Sequence, residues 1–299
     1  MTLQQLKYVI TVAEEGSISK AAQKLFIAQP SLTNQIHEIE NEYNIKIFTR
    51  TNKGIIISQD GEAFLGYARQ VLEQANLLDE RYKLKAPKIL FSVSCQHYSF
   101  AVNAFVDLIK KYDNDKYDFS IRETKTYEII DDVSKLKSEV GILYINDYNK
   151  NIILKLLDDN NLDYKMLFRA KPHIFTSIHN PLAKKDKVSL EDLKDYPYLS
   201  FEQGDNNSFY FSEEILSYIK KSKNIRVRDR ATLFNLAIGL NGYTISSGVL
   251  DNNLNSGIIG IPLDVNDYMD IILITHKNII LSDMANYYIE SLSKYIWYS

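Results

Sequence analysis

The feature that most constrains the fold is a run of short helical patterns at the N-terminus. Apolar residues recur at helical spacing up to Gly16, which is typical of a helix end, and Ser17 is a good N-cap for a second helix. Pro30 suits the first turn of a third helix, because the N–H that it lacks would be unpaired there. Two short helices joined by a tight turn predict a helix-turn-helix. The predicted apolar faces consist of Leu3, Leu6, Val9, Ile10, Ala13, Ile18, Ala21, Ala22, Leu25, Leu32, Ile36, Ile39 and Tyr43.

The polar side of the third helix indicates what such a domain could bind. Its groups are mostly uncharged hydrogen-bonding side chains, which can read base edges in the major groove of a duplex. Glu38, Glu40 and Glu42 lie further along the chain and are expected to point elsewhere. The predicted DNA-binding residues of this helix are Gln29, Pro30, Ser31, Thr33, Asn34, Gln35 and His37.

Two β-rich runs follow this helix. Residues 45–48 and 55–57 flank a polar, basic, glycine-containing turn and predict a hairpin wing, on which Arg50 and Lys53 would meet a phosphate backbone. The alternative is a small helical domain that binds protein, since polar helix faces are common. Composition does not decide between them, because 35 Lys and Arg against 38 Asp and Glu give a net charge of −3 and no segment is strongly basic.

A resemblance to a known family favours DNA. Residues 21–36, 39–40 and 47–51, with Ser58 and Gly61, resemble the helix-turn-helix of LysR-type transcriptional regulators. The motifs are spread out and in the right order, which makes the match specific. Three residues depart from the family pattern: Asn34 and His37 stand where members often carry Arg or Lys, and Asn44 stands where Gly is usual. These departures bear on which operator sequence is read.

A long linker helix is predicted after the wing, over residues 59–86. Ser58 can cap it, and Asp60 and Glu62 lie near its positive end. Its apolar residues follow the alternating steps of a coiled-coil seam, although a helix packed on its own domain is the alternative. The resemblance implies that two copies pair here, giving a homodimer or homotetramer on a two-fold-related operator. The seam consists of Phe64, Ala68, Val71, Ala75, Leu78 and Tyr82.

After Pro87, strand-like runs alternate with amphipathic helical runs. This alternation predicts α/β sheets with parallel strands, in two sub-domains with a cleft between them. Strands are predicted over 89–94, 119–122, 140–145, 173–176, 198–201, 225–227, 243–246 and 268–275. Helices are predicted over 100–112, 129–136, 209–221, 231–240 and 282–296.

Candidate ligand residues follow from the rule that such sheets bind ligands outside the carboxyl ends of their strands. The candidates are mostly neutral groups that could hold a small anion, although Ser and Thr more commonly just cap helices. His97 is expected to be structural. Cys95 has no adjacent Lys or Arg and is expected to be a plain small residue, not a redox sensor. The predicted effector-binding residues are Ser94, Cys95, Gln96, Thr124, Thr126, Phe201, Gln203 and Ser246.

The resemblance extends into this region and so covers nearly the whole chain. Residues 94–100, 138–144 and 230–233 look closest to a Gram-positive branch, similar to the streptococcal regulators of methionine uptake and capsule expression. It implies an effector domain like the type II periplasmic binding proteins. The predicted fold class is therefore α/β with an N-terminal winged helix-turn-helix and a long linker helix. The predicted domains are 1–58 for DNA binding, 59–86 for the linker, and 88–299 for the effector, with sub-domains of about 88–165 plus 267–299 and about 166–266.

Several other functions are excluded by spacing. The glycines form no dinucleotide-binding loop, and the histidines form no zincin-like pair. Cys95 is the only cysteine, which excludes an intrachain disulfide and any zinc site built on two or more thiolates. We therefore expect no enzyme activity, no cofactor and no metal. The alternative functional hypotheses are an enzyme with a DNA-binding appendage and a solute-binding or scaffolding protein.

The predicted function is a sequence-specific transcriptional regulator modulated by a small-molecule effector in the C-terminal cleft, with a connection to sulfur amino-acid metabolism or uptake. The expected partners are a double-stranded DNA operator, the effector, another copy of the chain and RNA polymerase. No apolar run is long enough to cross a bilayer, and no secretory signal is visible, so we expect a cytoplasmic protein without a membrane partner.

Overall fold

The computed structural model describes residues 1–51, 54–83, 89–113, 116–206, 208–250 and 255–296. The chain divides into two compact units, Met1–Lys88 and Ile89–Ser299. Helices α1 to α9 span Leu3–Glu15, Ile18–Lys24, Gln29–Tyr43, Gln59–Lys83, Ser99–Lys111, Thr126–Ser134, Lys150–Asp159, Arg230–Leu240 and Asp283–Leu292. Strands β1 to β12 span Phe48–Thr51, Gly54–Ile57, Ile89–Cys95, Tyr117–Glu123, Val140–Ile145, Leu162–Ala170, His173–Ser177, Tyr198–Phe201, Asn224–Val227, Tyr243–Ser246, Ile258–Pro262 and Met269–His276.

The N-terminal helices begin and end where local signals place them. Thr2 and Gln5 form a reciprocal capping box at the start of α1, and Gly16 ends the helix in the left-handed conformation at a φ of 61°. Ser17 caps α2 by accepting the N–H of Lys20. Pro30 lies in the first turn of α3. The predicted helix-turn-helix is confirmed in these elements.

The core of this unit joins the three short helices to the start of α4. Val9, Ile39, Ile47 and Leu65 form one buried cluster, and a second surrounds Leu32. Burial of apolar side chains on four elements at once is what orients α3, since apolar area removed from water is the main stabilising term.

Tyr43 departs from its predicted place in the core, since its side chain is 44% exposed. It is the last residue of α3, where the helix leaves the core, and its ring instead packs at 5.6 Å from that of Phe64. Asn44 follows in the left-handed conformation, at a φ of 51°. Asn tolerates that region better than most residues, which suits it to this position.

The predicted wing is an antiparallel hairpin of β1 and β2, with Phe48 opposite Ile57 and Thr51 opposite Gly54. Residues 52–53 at its turn lie outside the described residues, and so does Lys53 as a predicted contact.

The C-terminal unit contains two mixed sheets. The first sheet has the strand order β4-β3-β5-β12-β6, and the second sheet has the order β11-β7-β10-β8-β9. The prediction of parallel strands is correct for β3 with β4 and β5, and wrong for β12, which runs antiparallel to β5 and β6. The reason is that the chain returns to the first sheet only after building the second. The crossing out of the first sheet follows Ala170, slightly later than the predicted boundary near 165.

The predicted helix over 209–221 is wrong. Only a short 3-10 turn forms there, at Phe209–Phe211, and Leu216 adopts a positive φ of 61°. Ile215 and Leu216 are buried in this segment together with Glu213 and Glu214. The two carboxylates accept the backbone N–H groups of His97 and Phe201, which lie on neighbouring elements. Helix α7 and strands β6 and β11 were not predicted from the sequence. No helix in the described ranges has the length and hydropathy needed to span a bilayer.

Candidate DNA-binding face and effector cleft

Helix α3 presents the predicted polar residues on the side opposite its buried face. Leu32, Ile36 and Ile39 are buried at 3% exposure or less. The side chain of His37 is 54% exposed. Gln29, Pro30, Ser31 and Asn34 are exposed as well, and Thr33 and Gln35 are half-buried. The structure therefore brings all seven predicted residues of α3 to an accessible side of the N-terminal unit.

Two of these residues are partly held by neighbours on the helix. Thr33 Oγ1 donates to the carbonyl oxygen of Gln29 at 3.0 Å. Gln35 Nε2 donates to Glu38 Oε2 at 2.9 Å, and Gln5 Nε2 donates to the same oxygen at 3.2 Å. Glu38 is thus exposed beside the face, where it restricts the Gln35 amide.

Glu40 holds α3 against the wing, a role that the sequence analysis missed. Its side chain is 3% exposed, and its Oε1 accepts the backbone N–H groups of Ile47 at 2.8 Å and Phe48 at 3.2 Å. Its Oε2 lies 3.0 Å from Lys46 Nζ and 3.3 Å from His37 Nδ1. Burial alone would raise the pKa of Glu40, but Lys46, the two N–H groups and His37 outweigh it and lower that pKa below its ordinary value. Glu40 is therefore a buried, charged side chain that connects the helix to the hairpin.

In the wing, the backbone of Arg50 in β1 pairs with that of Ile55, and the Arg50 side chain lies outside the described residues. A groove of about 340 Å³ separates α3 from the hairpin, with Thr33, His37 and Lys46 along it. The Lys46 side chain is 69% exposed, which adds a cation that the sequence analysis did not assign to this face.

Along α4, the predicted seam divides into two parts. Phe64 is half-buried and Ala68 is 3% exposed, because the first turns pack on the N-terminal unit itself. Further along, Val71 and Leu78 are 43% and 59% exposed, and Ala75 is half-buried. The side chain of Tyr82 lies outside the described residues. Packing on its own domain is thus correct for the first part of the helix, and pairing through the second part stays a prediction.

The C-terminal unit has a cleft at the carboxyl ends of β3, β8 and β10. It encloses about 30 Å³, which has room for water but not for a metabolite, so the cleft is closed in this structure. Its lining includes His97, Ser99, Phe175, Phe201, Glu213, Glu214, Arg230, Thr244 and Ser246.

Of the predicted effector-binding residues, Phe201 and Ser246 line this cleft. The other six do not. Ser94 is buried within the first sheet, where its Oγ bonds to Asp132 and Ser138 at 2.8 Å each. Thr124 bonds to Glu128 at the carboxyl end of β4. A position at the carboxyl end of a strand therefore did not predict which residues line the cleft.

Gln96, Thr126 and Gln203 instead form a buried hydrogen-bonded bridge between the two sheets. Gln96 Nε2 donates to Thr126 Oγ1 at 2.6 Å, and the backbone N–H of Thr126 donates to Gln203 Oε1 at 3.1 Å. Tyr98 donates its hydroxyl proton to Gln96 Oε1 at 2.8 Å. These three predicted residues are brought together behind the cleft, where they fix one sheet relative to the other.

Cys95 is fully buried, and burial raises the pKa of its thiol to about 12, with the negative charge of Glu213 adding to the effect and the positive charge of Arg230 opposing it. The thiol is therefore protonated at neutral pH and shut off from solvent, which is the opposite of what a redox-sensing thiolate needs. This supports the expectation that Cys95 is a structural residue.

The charged residues that line the cleft were not among the effector-binding residues predicted from the sequence. Glu213 and Glu214 are 6% and 1% exposed. Burial, together with the nearby charge of Glu213, raises the pKa of Glu214 to about 8. Arg230 forms an ion pair with Glu123 across the mouth of the cleft. Within the described ranges, no cluster of three His, Cys, Asp or Glu side chains is arranged to hold a metal ion.

Comparisons with known proteins bear most directly on the N-terminal unit. Residues 3–62 match the family model described as "Bacterial regulatory helix-turn-helix protein, lysR family". This chain therefore contains a LysR-family helix-turn-helix domain. It is a DNA-binding transcriptional regulator with an effector-binding domain, and its relatives are regulators, not enzymes. The prediction of the family from the helix-turn-helix residues is confirmed.

The matching relatives of this chain include one that aligns over most of its length. "Hca operon transcriptional activator HcaR" of Escherichia coli is 26% identical over 266 residues, which are 86% of this chain and 85% of the relative. "HTH-type transcriptional regulator YofA" of Bacillus subtilis is 32% identical over 146 residues, covering 46% and 50% of the two chains. A solved structure, "Corynebacterium glutamicum OxyR C206 mutant", shares the fold at a TM-score of 0.51 and 17% identity, covering 98% of this chain and 92% of its own.

Proposed function

We propose that α3 enters the major groove and reads base edges with its open polar side, while the wing contacts phosphate through Arg50 and Lys53. The observation that carries this proposal is the exposure of Gln29, Asn34 and His37 on a helix whose other side is buried. Phosphate contacts position a protein on DNA, and base contacts specify the sequence, so the two sets of residues have separable effects.

The operator is bound by paired copies of the chain, as a homodimer or homotetramer. The exposed side chains of Val71 and Leu78 supply the surface, because they continue the predicted coiled-coil spacing beyond the part of α4 that packs on its own unit. Residues 1–58, 59–86 and 88–299 then act as the DNA-binding, linker and effector domains.

A small-molecule effector binds in the cleft and changes the arrangement of the oligomer. The closed cleft supports this role, since a ligand can shift an equilibrium only by binding one state better than another. RNA polymerase is the further partner, and the cytoplasm is the compartment. The proposed target genes are those of sulfur amino-acid metabolism or uptake, and this part of the proposal rests on the sequence resemblance alone.

Mapping the genomic binding sites of the full chain tests this function. We expect discrete sites with two-fold-related half-sites, and neighbouring genes whose products handle the effector or its precursor. Failure to bind any genomic DNA at low salt would contradict the proposal.

A further inference from the structure

The space of the closed cleft is taken by a side chain of the protein itself. His97 extends from the turn after β3 in the first sheet, and its ring lies flat on that of Phe201 at the end of β8 in the second sheet. The ring centroids are 3.6 Å apart and the planes differ by 3°. The side chains of His97 and its hydrogen-bonding partner Glu213 are 5% and 6% exposed, so the imidazole fills the gap between the sheets.

Glu213 is the group that holds this ring in place. Its Oε2 accepts from His97 twice, from the ring Nδ1 at 2.8 Å and from the backbone N–H at 3.1 Å. Its Oε1 has a weaker contact, because the amide of Gln203 reaches it only at 3.5 Å, the far limit of a hydrogen bond. The cleft therefore contains a nine-tenths buried carboxylate with acceptor capacity left over.

The other charged groups of the cleft are already matched. The guanidinium of Arg230 also lines the cleft, and it already has the carboxylate of Glu123 as an ion-pair partner. Glu214 accepts the N–H of Phe201 at 2.8 Å and the hydroxyl of Ser212 at 3.0 Å. A ligand that displaced His97 would have to satisfy Glu213, because a buried carboxylate without donors is costly.

We propose that the effector is a small planar nitrogen cation, which displaces the imidazole of His97, donates its N–H groups to Glu213 and stacks on Phe201. His97 then acts as an internal stand-in for the ligand, holding the cleft closed in its absence. This inference rests on the proposed function of the cleft as the effector site, and it replaces the sequence-based expectation of a small anion. Thr244 and Ser246 lie on the same lining and supply hydroxyl groups for the rest of the ligand.

The test uses two probes with the same ring and opposite charge, benzamidine and benzoate, titrated calorimetrically into the full-length protein. We expect benzamidine to bind and benzoate not to bind. The variant His97→Ala removes the internal competitor, so benzamidine should bind it about tenfold more tightly or better, and free imidazole should raise its melting temperature. Adding Glu213→Gln to His97→Ala should abolish the preference for benzamidine, whereas the surface variant Glu191→Gln should not change it.

A second readout does not depend on the stability of a variant. In wild-type protein with labelled histidine, benzamidine should shift the ring resonances of His97, because the ring leaves Phe201. Benzoate binding as tightly as benzamidine, no binding of either probe, or an unchanged preference in the double variant would each overturn the ligand class. Benzamidine binding that leaves the affinity for DNA unchanged would instead overturn the role of the cleft as the effector site while leaving the ligand class standing.

Discussion

Glu40 of α3 accepts the backbone N–H of Ile47 at 2.8 Å, so a single buried carboxylate connects α3 to the residues that lead into the wing. The same side chain also accepts the N–H of Phe48 and forms an ion pair with Lys46. Any regulator that reads a groove with a helix and touches the backbone with a hairpin needs these two elements in a fixed relation. Here that relation depends on a residue whose sequence pattern suggests only a solvent-facing charge.

The substitution Glu40→Ala should lower the free energy of unfolding of the N-terminal unit by about 2–3 kcal/mol, because it leaves buried N–H groups without an acceptor. Urea denaturation followed by circular dichroism measures the change. The matched control is Glu14→Ala, since Glu14 has a side chain that is 53% exposed and should change stability by less than about 0.5 kcal/mol. Equal effects of the two substitutions would show that Glu40 does not brace the wing.

Gly61 and Gly66 make a second matched pair, since both lie within α4. A Cβ at Gly61 would overlap the carbonyl oxygen of Ile47, whereas a Cβ at Gly66 would meet nothing within 4 Å. Gly61→Ala should therefore destabilise the N-terminal unit by about 1–3 kcal/mol. Gly66→Ala should stabilise it by about 0.5–1 kcal/mol through helix propensity. Thermal melts of the two variants compare them directly, and a stabilising Gly61→Ala would refute the close packing of α4 on Ile47.

The pairing role of α4 is tested at Leu78, which is 59% exposed on the predicted seam. Leu78→Glu places a charge in the apolar contact, and like charges from the two copies would repel each other. We expect its sedimentation to shift from an oligomer towards the monomer, with weaker operator binding. Gln70→Glu adds the same charge at an exposed position off the seam and should leave the oligomer intact. If Leu78→Glu keeps the wild-type mass at micromolar concentration, pairing through this seam is wrong.

Glu214 gives the effector unit a definite pH dependence. Its pKa is about 8 in the folded chain against an ordinary value of 4.5. Between these values the folded state keeps a proton that the unfolded chain has released, so the free energy of unfolding should fall by about 1 kcal/mol per pH unit as pH rises, and then level off above about pH 8. Denaturant melts at pH 5 to 9 measure this slope. Glu214→Gln should reduce it, and an identical slope in the variant would contradict the assignment.

The parts of the fold that the sequence predicted are those set by short-range signals. Helix α1 ends at Gly16, α2 begins after Ser17, and α3 has Pro30 in its first turn. These bounds are predictable because capping and turn preferences act within a few residues. Apolar strand-like runs likewise predicted β3, β5, β8 and β10. The direction of β12 could not be predicted locally, since it depends on where the chain goes between the two sheets.

The candidate cleft was harder to predict than the DNA-binding face. The face is a single helix, so spacing alone places its polar residues together. The cleft combines His97, Phe201 and Glu213, which are far apart in the chain and meet only through tertiary packing. Charged residues in a helical-looking segment are usually solvent-facing, and burial of Glu213 reverses that expectation.

Reading of base edges by the open side of α3 is tested most directly by measuring the affinity of Gln29→Ala for an operator and for random DNA at several salt concentrations. We expect this variant to lose operator affinity while binding random DNA as the wild type does, because Gln29 is proposed to contact a base edge. Arg50→Ala should instead weaken both DNAs about equally and reduce the salt slope by about one, and Gln70→Ala should behave as the wild type. Equal losses on operator and random DNA for Gln29→Ala would contradict a base-reading role for this side of α3.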